Sequence, residues 1–151
     1  MWNLAEKKLS VRDTMLKVNE LGTLTLSLDL TNLAPDLTAL TDARLAHAKL
    51  RLDDASLVDR LLRAGAAQSG VAPEAFRQQI SAMARLAAAG DASPATIAAG
   101  QAAGDFIASP HSLTIELSPP APVPVMSLQG AATSSPARMA ATLGLKITAN
   151  Q

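Results

Sequence analysis

The side chains able to do chemistry in this chain are few and far apart. His47 and His111 are the only histidines, there is no cysteine, and the densest carboxylates are Asp53 and Asp54, with Asp42 nearby. Neither histidine has a second histidine or a carboxylate pair at metal-ligand spacing, so no metal site is expected. His47 is expected on the wet face of a strand and His111 at a helix-to-strand turn. The Asp53–Asp54 pair lacks the alternating acidic positions and distal Glu of a calcium loop, and its expected work is capping the helix that follows. Serines are common, yet none sits in a Gly-x-Ser-x-Gly elbow. Gly100-Gln101-Ala102-Ala103-Gly104 has the spacing that lets two helices approach closely, not that of a phosphate cradle after a strand. No catalytic residue, cofactor or metal is assigned on these grounds.

Composition narrows the partners. Lys plus Arg and Asp plus Glu number 13 each, a balance that argues against a nucleic-acid partner and against electrostatic docking on anionic lipid. About one residue in five is Ala, above ordinary usage, while Trp2, Phe76 and Phe106 are the only aromatics. The core must therefore be built from Leu and Ala with closely approaching elements. No apolar run reaches the roughly twenty residues that span a bilayer as a helix. Met1 to Leu9 contains Glu6, Lys7 and Lys8, which interrupt any signal-peptide core. If Met1 is the native start the protein is expected in the cytoplasm; if the chain is an excised piece of a secreted parent, in the periplasm or cell envelope.

The elements that position these residues follow from periodicity. Leu24, Leu26, Leu28 and Leu30 alternate with Thr25, Ser27, Asp29 and Thr31, as in a strand with one buried and one wet face. Leu9 and Val11, then Leu16 and Val18, alternate likewise, and Leu21-Gly22 makes a turn. Asn32 to Asp36, with Pro35, ends the strand. In 42–53 the apolar phase slips by one residue, which predicts two strand halves joined by a bulge near Leu45–Ala46. A helix over 36–48 is the alternative.

The period then becomes helical. Ser56 to Asp59 has the shape of a capping box, and Leu57, Val58, Leu61 and Leu62 form a stripe closed by Gly70. Pro73 opens a second helix whose expected buried face is Phe76, Ile80, Met83 and Ala87, and Gly90 ends it. Ser93-Pro94 opens a third, stopped by Pro110. Leu113, Ile115 and Leu117 alternate as a strand. The prolines of 119–124 predict an edge segment or strap. Ser135-Pro136 begins a fourth helix, with Met139 and Leu143 inward and Gly144 at its C-cap, before a last strand at Leu145 and Ile147. The order βββ-ααα-β-α-β predicts one α+β domain, a small, mainly antiparallel sheet with one face covered by three to four Ala-rich helices. Leu24, Leu26, Leu28 and Leu30 would then meet Leu61, Leu62, Phe76, Ile80, Met83 and Phe106, as a packing face or around an apolar ligand. Leu26→Asp is accordingly expected to unfold the chain.

The segments 16–26 and 45–54, with their leucine-x-leucine strands on either side of Leu21-Gly22, resemble the repetitive strands of bacterial AsmA-like and DUF945-type periplasmic proteins. The helix Ser56–Leu62 and the strap Pro119–Val125 resemble C-terminal regions of such proteins. The resemblance implies an excised C-terminal module of a larger cell-envelope protein that handles lipid, and the expected role is a non-enzymatic structural one or contact with lipid or another envelope protein. It brings no active-site residues. A lipid carrier and a hydrolase with an unrecognised site are the alternatives.

Overall fold

A computed structural model describes residues 2–3, 7–33, 42–90, 93–131 and 136–151. The chain is α+β, an antiparallel sheet joined to helices. Its strands are β1 (Trp2–Asn3), β2 (Lys8–Val18), β3 (Gly22–Thr31), β4 (Arg44–Asp54), β5 (Ser112–Leu117), β6 (Val123–Pro124) and β7 (Leu145–Ala149). Its helices are α1 (Leu57–Ser69), α2 (Pro73–Ala89), α3 (Pro94–Ala108), α4 (Val125–Ala131) and α5 (Pro136–Leu143). The sheet order is β1-β2-β3-β4-β5-β7, and β6 pairs with the start of β4 beside β5.

Register makes one side of this sheet apolar from end to end. One row runs Leu16, Leu24, Leu52, Leu113, Ala149, and the next runs Thr14, Leu26, Leu50, Ile115, Ile147. Two bulges keep the rows in phase. In β2 the register shifts between Val11 and Thr14. There Asp13 takes a positive φ of 48°, its N–H donates to Ser27 Oγ, and that hydroxyl donates to Asp13 Oδ1, both at 3.1 Å. In β4, Asp29 faces His47 while Leu30 faces Leu45, so Ala46 is the extra residue and the bulge falls where the phase slip predicts. Arg44 to Ala48 is strand, which removes the helical alternative there; residues 34–41 lie outside the described residues.

The helix signals hold with one reassignment. Gly70 closes α1 in the left-handed conformation at φ 67°, Pro73 and Pro94 occupy first-turn positions, and Gly144 follows α5 at φ 58°. Ser56, however, makes no side-chain cap bond; its hydroxyl turns to the carbonyl of Glu20. Asp54 Oδ1 accepts the N–H of Val58 at 3.1 Å instead, so the preceding carboxylate satisfies the orphan donor. The proline strap pairs at Val123–Pro124 and runs directly into α4, a helix that the run of prolines conceals.

Small residues choose the helix interface. A Cβ on Gly100 would lie 2.1 Å from Ala88 Cβ and 2.9 Å from Ala84 O, and one on Gly104 would lie 2.6 Å from Arg85 Cγ. α2 therefore turns Ser81, Ala84 and Ala88 toward α3; of the expected face, Phe76 and Ile80 stay half-buried, with the Phe76 ring against Gly65 of α1, while Met83 is 56 % exposed and Ala87 is exposed. On α1 Leu62 and Ala66 are buried but Leu61 is 63 % exposed. The close Gly-x-x-x-Gly approach outweighs the larger apolar area Met83 could have buried.

Candidate functional site

Among the described residues the buried apolar side chains gather in two places that leave the middle of the sheet out. Leu33, Ala43 and Leu45 form one group beside β6, and Leu62, Ala66, Ala88, Ala99, Phe106, Ala140 and Leu143 form the other, on the helices. α3 and α5 pack against β7, at the far side of the sheet from β2. Leu24, Leu28, Leu30, Leu50 and Leu52 are only half-buried, and Leu26 is 38 % exposed. A sheet face fully roofed by helices would bury such side chains almost completely. The structure thus brings Leu24, Leu26, Leu28 and Leu30 onto one face with Leu50 and Leu52, and leaves that face partly open.

The open face continues to an open edge. β1 pairs with Lys8 and Leu9 alone, and among the described residues no strand pairs with the outer side of 12–18. Every residue from Arg12 to Val18 is exposed, including Met15 and Leu16, and the stretch contains no proline. Periodicity reveals such a strand but not its place at the edge, because edge position depends on long-range pairing.

The polar candidates sit elsewhere and stay apart. His47 is half-buried on the polar face, as expected, and Nε2 lies 3.3 Å from Glu116 Oε1. That partner is 69 residues away in sequence, beyond the reach of any spacing rule. The contact with His47 holds the Glu116 carboxyl below its usual range. Asp29, opposite both Ser10 and His47 in register, is also held low, first by a hydrogen bond from Ser10 and then by the charges of Lys8 and Arg12.

His111 is exposed at the turn between α3 and β5, with Nδ1 3.1 Å from Ser109 O. It borders a shallow cleft of about 460 Å³ with Arg51, Asp53, Ser112 and Asn150. Ser112 is buried, but its hydroxyl donates to Gln151 O at 2.9 Å and accepts the N–H of Gln151 at 3.2 Å. It therefore makes no nucleophile–base pair with His111. A second cleft, of about 350 Å³, is lined by Asp54, Asp59, Glu74, Arg77 and His111. Arg77, 18 % exposed, is paired there with Asp59 of α1 and holds the Asp59 carboxyl below its usual range. Among the described residues no group of three or more His, Asp and Glu side chains is placed to hold a metal ion, and no helix is long and apolar enough to cross a membrane.

No curated protein and no solved structure matches the chain. A family model described as "Uncharacterized protein" matches residues 15–150, from the second half of β2 through β7. With nearly the whole chain covered, the protein belongs to that family.

Proposed function

We propose that this chain is a non-enzymatic interaction module of a bacterial cell-envelope protein, and that it acts by setting its leucine face against an apolar partner surface. The observation that carries this reading is the continuous row of leucines across β2, β3 and β4 left partly open by the helices. Exposed contiguous apolar patches on folded proteins mark sites of association. The resemblance of the leucine-x-leucine strands to envelope proteins supports the compartment. The described clefts are lined mostly by polar and charged groups, which disfavours an acyl chain held between sheet and helices.

Bis-ANS fluorescence on the folded chain tests the face. The dye brightens on the native protein, and the Leu26→Ser/Leu50→Ser variant, with an unchanged circular dichroism spectrum, loses most of that signal. A native protein that leaves the dye dark has no open face, and the reading fails. Turnover in an esterase screen, abolished by His111→Ala, would refute the non-enzymatic half. Native mass spectra that retain a lipid after mild purification would replace the module by a carrier.

A further inference from the structure

We infer that the outer edge of β2 pairs antiparallel with the same edge of a second copy of this chain, joining two sheets into one. The inference goes beyond the interaction-module reading: the second copy meets the edge of the sheet and leaves the leucine face to its own partner.

The first argument is the unused backbone. Five residues, Thr14 to Val18, pair with β3 on one side and have no described strand on the other. Sheet edges that must stay single are shortened, covered, bulged or rich in charge and proline. Here the bulge lies at one end, at Arg12–Asp13, and past it Thr14 to Val18 carries a single charge, Lys17, and no proline, and presents Met15 at 71 % and Leu16 at 61 % exposure.

The second argument is charge complementarity. In a two-fold antiparallel pairing each residue faces one whose number makes a constant sum with its own, and the sum must be even for the two polar faces to lie on the same side. Centred on Met15, the sum is 30. Lys17 then faces Asp13 of the second copy, twice by symmetry, and Leu16 faces Thr14. All three polar-face residues are on the correct side: Met15 and Lys17 pair with Thr25 and Thr23 of β3, and Asp13 is bonded to Ser27. Leu16 and Thr14 lie on the other side, in the rows of Leu24 and Leu26, so both copies' leucine faces become one surface. Centring on Leu16 or Thr14 instead sets Lys17 or Asp13 opposite Met15 and loses the ion pairs. The net charge of zero leaves no repulsion between copies.

Centring on Met15 also makes a sharp test, because the chain has no cysteine. Two residues directly opposite across an antiparallel pair have Cα atoms about 4.5–5.5 Å apart, within disulfide reach. Met15→Cys should therefore cross-link to a covalent dimer under mild oxidation. Lys17→Cys should not, since the two copies of residue 17 are about 14 Å apart along the strand. Light scattering on the intact wild-type chain should give twice 15.6 kDa at high concentration. Lys17→Asp should weaken the dimer about tenfold, and Asp13→Lys/Lys17→Asp should restore it. A monomer at all concentrations, or equal cross-linking at positions 15 and 17, overturns the inference. A monomer that still brightens bis-ANS overturns this partner and leaves the open face standing.

Discussion

The Ser81 hydroxyl donates to the Gly104 carbonyl oxygen at 2.8 Å, bridging α2 and α3 where both are buried. The bond exists because Gly104 has no Cβ to hold the helices apart: a Cβ there would come within 3.0 Å of Ser81 O. Ser81→Ala should cost about 1 kcal/mol, the ordinary net worth of a buried hydrogen bond. Urea titration would show it as a lower midpoint with an unchanged slope. A midpoint equal to that of the wild type would mean that the two helices do not approach this closely.

Gly100→Ala sets two effects of opposite sign against each other. In an isolated helix the change should stabilise by about 1 kcal/mol. In α3 the new methyl would sit 2.1 Å from Ala88 Cβ, and Ala84 O is also within 2.9 Å. Backbone and a neighbouring Cβ cannot swing aside as a long side chain can, so overpacking of about 1–3 kcal/mol should win. A thermal melt decides: Tm falls if the close crossing is real and rises if propensity alone governs.

The crossing was legible in the sequence because Gly-x-x-x-Gly is a local signal with one common physical use. The leucine alternation and the β4 bulge were legible for the same reason, since each depends on residues a few positions apart. What local patterns could not supply is which apolar surfaces meet. Helical periodicity marks Met83 and Ala87 on α2, but the partner helix, by presenting two glycines, selects Ala84 and Ala88 instead. Likewise Leu26 reads as a core residue, and its 38 % exposure follows from helices that gather against β7. The His47–Glu116 contact and the edge position of β2 among the described strands are long-range facts of the same kind.

That difference reverses the expectation for Leu26. Leu26→Asp places its charge on a face still reached by water, so the chain should remain folded with a modest loss, under about 2 kcal/mol. Leu62→Ala, at a position only 8 % exposed, should cost about 2–5 kcal/mol through the cavity it leaves. Parallel thermal melts rank the two. If Leu26→Asp proves the more damaging, the sheet is roofed after all.

Acid should act on the α1–α2 junction through Asp59. Its carboxyl is held below the usual range by the hydrogen bond and charge of Arg77, so the folded state binds its proton less readily than the unfolded chain. The stabilisation is therefore fully present above the unfolded carboxyl pKa, near 3.8, and is lost as pH falls from there through the lower folded value. Asp59 is 41 % exposed, so solvent screening keeps the contribution below about 1 kcal/mol. Asp59→Asn should lower stability by that small amount at pH 7 and match the wild type once the pH is well below 3.8. Urea midpoints across that range, for the two proteins side by side, should converge on acidification. Midpoints that stay parallel would show that Arg77 does not act on the Asp59 carboxylate.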